Sequence, residues 1–336
     1  MEELFYVSRA MRYAHIDIAR GIAIILVVLG HCCPSADIDL NRVILSFHMP
    51  LFFFLSGVFA KSETVKTIMG GAFLKAKKLL IPQITLSITI ILLKGSIWLS
   101  EGKNLSDFNI FACFGFWFLP VLFLCSICYM VVSAIVDLHK TLFKVVTMII
   151  AMSLSVILIL NHVDSEIIPV DWLIKSTVAV PFYFGGSFFK ERVLKVSNEQ
   201  RIYDNMLLIL LLPIIVILSQ INSPVLMYKN EYGMIPLFFI TSVLGIMLVV
   251  ELSKRLVNMP VLLEFGKLSI AVYVWNFLIV GFSVRVLNRI LLMFSVDNET
   301  IRTAATFSVS MIILYLLSKW TYYKLPYLYG LKKTHI

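Results

Sequence analysis

Apolar residues fall in long runs along this chain, and the polar residues cluster in short breaks between them. The stretch "HIDIARGIAIILVVLGHCCP" at 15–34 is one such run, and similar stretches follow one another to the end. A helix needs ~20 mostly apolar residues to cross the hydrocarbon layer. Windows of that size predict ten spans, near 14–34, 43–60, 79–99, 114–136, 142–161, 172–190, 205–221, 234–251, 267–292 and 303–323. The runs are long rather than short and alternating, which argues against a transmembrane β-barrel. The connections are short, and neither an internal repeat nor a low-complexity segment is visible. The expected fold is therefore an all-α integral membrane protein, a bundle of about ten transmembrane helices. It forms a single domain over residues 1–336, with no separate soluble domain.

Composition supports that class. Hydrophobic residues make up 60% of the 336 and charged ones 15%, against roughly 45–50% and about 25% in soluble domains. Of the five cysteines, Cys32 and Cys33 are adjacent, while Cys125 and Cys128 sit inside an apolar run. Small core packing explains them better than a disulfide framework. The first span is expected to be retained, because no small-residue cleavage site follows it and further spans come at once.

Charge orients the chain. With the N-terminus inside, the cytoplasmic connections hold Arg9, Arg12, Lys61, Lys66, Lys75, Lys77, Lys78, Lys140, Lys144, Lys190, Arg192 and Lys195. Lys254, Arg255, Lys324, Lys332 and Lys333 continue the series. The opposite loops carry Asp37, Asp39, Asp107, Asp164, Glu166, Asp297 and Glu299. This positive-inside pattern places both termini in the cytoplasm of a multi-pass protein of the cell membrane. The net charge of +9 then reflects orientation and contact with anionic membrane lipids, and nucleic acid is not an expected partner.

Ionisable residues inside a span are expensive and need a reason. In the first span, Arg20 and His31 are eleven positions apart, which at 100° per residue returns to within about 20° of the same face and ~16 Å along the axis. Asp17 stands one turn before Arg20 and can pair with it. One stripe thus runs from a basic mouth to a histidine toward the far end. The second span opens with "FHMPLFFFLSG", where His48 and Pro50 mark the entry and Ser56–Gly57 a small-residue packing point. Trp117 suits an interface or a sugar ring, and Asn276 an interhelical hydrogen bond or a substrate contact. Arg285, Arg289 and Lys94 read as interface anchors and Glu264 as a solvated charge. No spacing suggests a metal site.

"DIARGIAIILVVLGH" followed by "FHMPLFFFLSGVFAK" resembles the membrane-bound acyltransferase type 3 family, in particular bacterial sugar and polysaccharide O-acetyltransferases of the fucose 4-O-acetylase-like group. The family's arginine, ten residues and histidine are matched by Arg20 and His31, and its preceding aspartate by Asp17. The phrase around the second span's proline is matched by Phe47, His48, Met49, Pro50, Phe52, Ser56 and Gly57. "FLKAKKLLIPQI" looks like its basic segment, "FWFLPVLFLCSICY" its aromatic motif, and "PFYFGGSFFKER" its glycine-bearing span. "LEFGKLSIAVYVWN" is similar to its late glycine–serine–tyrosine motif. The chain departs from the pattern at Lys78, where the family usually has arginine, and at Asn276, where histidine is common.

The resemblance implies transfer of an acetyl group from acetyl-CoA, a substrate rather than a bound cofactor, to a sugar hydroxyl of a surface glycan or its lipid-linked precursor. Such chemistry needs a base for the hydroxyl, a partner for the carbonyl's developing charge, and alignment of both substrates. His31 is the candidate base or transient acetyl carrier, with Arg20 and Asp17 completing the catalytic set. Lys75, Lys77 and Lys78 are candidates for the phosphate-bearing head of acetyl-CoA. His48, Trp117 and Asn276 are weaker candidates for substrate contact. Homo-oligomers are compatible with such a chain. The competing expectations are transfer of another acyl group such as succinyl, a glycan exporter, and an inactive scaffold. An exporter would be expected to show paired interrupted helices or a repeat.

Overall fold

The structure, a computed structural model, describes residues 13–33, 35, 39–100, 102, 104, 113, 115–195, 202–295 and 298–332, without the side chains of 96–98, 100 and 202–207. Arg9, Arg12, Asp37, Asp107, Asp297 and Lys333 lie outside these residues. Twelve α-helices are present among them, with short 3-10 turns at Met227–Lys229 and Pro326–Tyr329. The α-helices are α1 (Ala14–Cys32), α2 (Asp39–Gly57), α3 (Ile68–Ser100), α4 (Phe118–Ile135), α5 (Thr141–Leu160) and α6 (Ile168–Phe188). After these come α7 (Lys190–Leu194), α8 (Ile202–Ile221), α9 (Ile235–Arg255), α10 (Pro260–Lys267), α11 (Ser269–Met293) and α12 (Glu299–Lys324). No strand occurs among the described residues, only a single bridge between Leu226 and Glu231.

Eight of these helices are long and apolar enough to span a membrane: α1, α2, α3 (over Ile68–Gly95), α4, α5, α9, α11 and α12. The other two expected spans, 172–190 and 205–221, are helical as well. However, α6 carries Asp171 and Lys175 in its first half, and the apolar part of α8 runs only over Leu208–Ile221. Proline sets several starts, standing in the first turn of α6, α9 and α10, where its missing N–H has no intrahelical partner to lose. Asn298 caps α12 by accepting from the Ile301 N–H at 3.1 Å.

Small residues decide which helices touch. A Cβ on Gly57 would collide with the Tyr183 carbonyl of α6, and one on Gly186 with the Phe54 carbonyl of α2. The two backbones therefore cross at van der Waals distance, as small residues permit. A Cβ on Gly266 would collide with the Asp17 carbonyl, and one on Gly21 with that of Leu262. The short helix α10 thus lies directly on the first half of α1. About half or more of the spanning windows of α1 and α2 is buried against protein, but only 11% of α5. The first two helices are the centre of the bundle and α5 its edge.

The fourth expected span begins later than the sequence suggested. Gly115, Phe116 and Trp117 are not helical, yet they lie against the bundle's interior, with Phe116 packed on Phe277 and Phe118 on both Phe53 and Tyr273. Irregular backbone at this depth is tolerated only where it is buried in protein or lines a cavity, and these residues do the second.

Candidate active site

One cavity of about 650 Å³ runs through the bundle. Its wall includes Arg20, Val27, Gly30 and His31 from α1, and Asn41, His48, Phe52 and Ser56 from α2. Leu79 and Leu86 come from α3, Gly115–Leu119 from the start of α4, and Tyr273 and Asn276 from α11. Because α1 and α2 run in opposite directions, Arg20 and Ser56 stand at one end, and His31, Ser35 and Asn41 toward the other. Asp171 of α6 and the Val225–Tyr228 segment close that second end. The eleven-residue interval is what puts Arg20 and His31 on the same wall, since a shift of two positions would turn one of them about 140–180° away from it.

Arg20 is fixed by two neighbours. Its Nη1 donates to Asp17 Oδ1 at 3.2 Å, and its guanidinium lies 5.1 Å from the centre of the Phe59 ring. A flat, delocalised cation suits both contacts at once. Asp17 does not itself line the cavity. His31 is in the last turn of α1 and more than a third exposed, and that exposure is to the cavity. Among the described residues neither of its ring nitrogens has a hydrogen-bond partner. His48 is buried, and its Nδ1 donates to the Ile44 carbonyl at 2.8 Å. A carbonyl only accepts, so in the neutral ring Nε2 is left as a bare acceptor. Asn276 is 3% exposed, and its Oδ1 has no partner among the described residues.

The basic segment divides. Lys75 is half-buried and within electrostatic reach of Lys78, Arg20 and Lys61. Lys77 instead lies over its own helix's Phe73 ring, 4.4 Å from its centre. None of the three lines the cavity, so any contact with a ligand there is at the rim beside Arg20. Trp117 does line it, against Phe53 at 6.2 Å between ring centres. Arg285 and Arg289 are exposed on one face of α11, away from the cavity. Glu264 is more than a solvated charge: it pairs with Lys319 at 2.7 Å and accepts from the Tyr315 hydroxyl at 2.7 Å. These two bonds, Lys319 first, hold its carboxyl below the ordinary carboxylate range.

The Asp171 end was not among the sequence candidates. Lys175, one turn along α6 and 2% exposed, forms an ion pair with Asp171 Oδ1. Asn230 Nδ2 donates to the same oxygen at 3.0 Å and to Asp164 Oδ1 at 2.9 Å. Asn230 is left-handed at φ 58°, a conformation asparagine tolerates better than most residues. Asn222 closes the turn, donating to the Tyr232 carbonyl at 3.2 Å and accepting from the Met234 N–H. Burial, aided by the charges of Asp171 and Asp164, pushes the Tyr232 phenol above its ordinary value, so its hydroxyl stays a donor to Asn230. A carboxylate and a lysine at i, i+4 in an otherwise apolar helix was the available signal.

An all-helical bundle with eight membrane-length helices around an internal cavity with histidines in its wall is a multi-pass membrane protein. Its affiliation is specific: a family model for an acyltransferase domain, that of the acyltransferase 3 family, matches residues 13–321, and the chain belongs to that family. Comparison with curated proteins and with solved structures returned no match. The family makes the protein a membrane acyltransferase.

Proposed function

We propose that this acyltransferase moves an acetyl group from acetyl-CoA to a sugar hydroxyl of a surface polysaccharide or its lipid-linked precursor, in the cytoplasmic membrane. The single observation that carries the reading is the placement of Arg20 and His31 at two depths of one cavity wall. The donor is anionic at its head and thin along its arm. Its phosphates would meet Arg20, with Lys75 and Lys78 at the rim, and the arm would bring the thioester toward His31.

In the reaction, the sugar oxygen attacks the thioester carbonyl carbon and its proton passes to His31. The carbon–sulfur bond then breaks, and the thiolate leaves as free thiol with the proton from the imidazolium. The carbonyl oxygen carries negative charge at the tetrahedral stage. Two features of the wall can stabilise it: the first turn of α4, whose amides carry no side-chain cap, and the Asn276 amide. Asp17 orients Arg20 and touches no substrate. Transient acetylation of His31 would satisfy the same geometry. Succinyl or another short acyl group fits the same scheme, and a choice of acetyl-CoA over succinyl-CoA is read directly by competition.

The test is labelled acetyl transfer from acetyl-CoA by the full-length protein in lipid nanodiscs. Replacing His31 by alanine is expected to lower the rate about a hundredfold or more. Transfer at the wild-type rate by His31→Ala, at equal protein abundance, overturns the proposal.

A further inference from the structure

The charges in the cavity wall are segregated. Among the described residues, Arg20 is the one side chain of fixed positive charge that lines it, and Asp171, at the opposite end, is the one carboxylate. We infer that the Asp171 end is the acceptor subsite and that it takes an uncharged polyol, a neutral sugar unit, in preference to a phosphorylated or uronic one. This deepens the acyl-transfer reading and rests on it for which substrate is the acceptor.

The local chemistry is that of a site awaiting hydroxyl donors. Lys175 and Asn230 both donate to Asp171 Oδ1, which leaves Oδ2 for the cavity. The pair is neutral overall, and the lysine is sealed behind it at 2% exposure, so Lys175 presents no cation to a ligand; the exposed Lys229, 5.7 Å from the centre of the Tyr228 ring, does not line the cavity. Asn41 is 5% exposed and commits its Nδ2 to the Ser35 carbonyl at 2.9 Å. Its Oδ1 has no partner among the described residues and lies beside Gly30, the neighbour of His31. A buried acceptor without a donor is costly, and a sugar hydroxyl supplies one. Tyr228, exposed on the closing turn, offers an aromatic face to the same space. An anionic sugar would bring its charge toward Asp171 with no cation among the described residues of the cavity wall at that end to offset it.

The alternative is that Asp171 only staples the Asn230 turn to α6. Asp171→Asn alone would strand a buried lysine, so the informative variant pairs it with Lys175→Met, which removes both charges and keeps an acceptor for Asn230. Binding of methyl glucoside, methyl glucuronide and glucose 6-phosphate to the full-length protein in nanodiscs is followed by tryptophan fluorescence, alongside labelled acetyl transfer to each. The wild type is expected to bind the neutral glycoside about tenfold tighter than either anion, and the double variant to lose that preference. Equal or tighter binding of an anion by the wild type overturns the inference. So does a double variant that keeps the preference, as a purely structural Asp171 would. If the double variant does not fold, Tyr228→Ala decides: several-fold weaker binding of methyl glucoside supports the subsite, and unchanged binding overturns it. A wild type that binds with the stated preference but transfers no acetyl overturns the acyl-transfer reading instead.

Discussion

Arg20 sits between a carboxylate and an aromatic ring, and that setting explains why a lysine would not replace it. A point charge on a flexible stem can pair with Asp17 or cover Phe59, but it presents no flat fork to a diphosphate. Arg20→Lys is therefore expected to raise KM for acetyl-CoA about tenfold, ~1.4 kcal/mol of lost binding, with kcat nearly unchanged. Steady-state kinetics separates the two, and a fall in kcat alone would move Arg20 from donor binding to the chemical step. At this scale the sequence was readable where charge interrupts an apolar run, as at Asp17, Arg20 and His31. It was less readable at Asp171 and Lys175. Those two neutralise each other and sit next to a connection, so they pass for an interfacial pair until the fold shows what Asp171 faces.

Helix α10 illustrates how a short element positions the site. It is only eight residues long, yet Gly266 and Gly21 let it lie on α1 beside Asp17, and Glu264 ties it to Lys319 and Tyr315 of α12. Because the Glu264 carboxyl is held below its ordinary value, its ionised form is favoured in the folded state. The stability this contributes is present above the ordinary carboxylate range and is lost as pH falls through the lowered value. Melting temperatures in detergent should be flat from neutral pH to about 5 and fall below it, and Glu264→Gln should lessen that fall. An unchanged acid slope in the variant would remove Glu264 from the account. Periodicity found α10 only as the lead-in to a span, and it placed the start of α4 too early. The apolar run through Gly115–Trp117 satisfies a hydropathy window whether or not the backbone is helical, and packing against Phe277 and Phe53 keeps it unwound.

Across the whole molecule, the cavity carries a cation at one end and a carboxylate at the other, and the proposed reaction would use the first for the donor and the second for the acceptor. If the lysine-rich connections are cytoplasmic, the Asp171 end faces outward. Cys33 lines that end and is half-buried, whereas Cys32, Cys113 and Cys125 are buried and Cys128 lies off the cavity. A membrane-impermeant maleimide added to intact cells should label the protein, and Cys33→Ser should abolish most of the signal. Labelling confined to inverted vesicles would reverse the topology. Burial pushes the Cys33 thiol up, so the reaction should be slower than that of a free thiol at neutral pH and quicken as rising pH forms thiolate.

The sequence by itself determined the membrane class, the helical character, the approximate spans and the stripe that joins Arg20 to His31. Hydropathy and helical phase are local properties, and a chain that must bury its backbone in lipid has few alternatives. Only the tertiary structure decided that His48, Trp117 and Asn276 share a cavity with that stripe, that Lys77 turns away from it, and that Asp171 closes its far end. Those facts depend on which helices cross, and the crossings are set by glycines such as Gly57, Gly186 and Gly266, whose partners lie more than a hundred residues away along the chain.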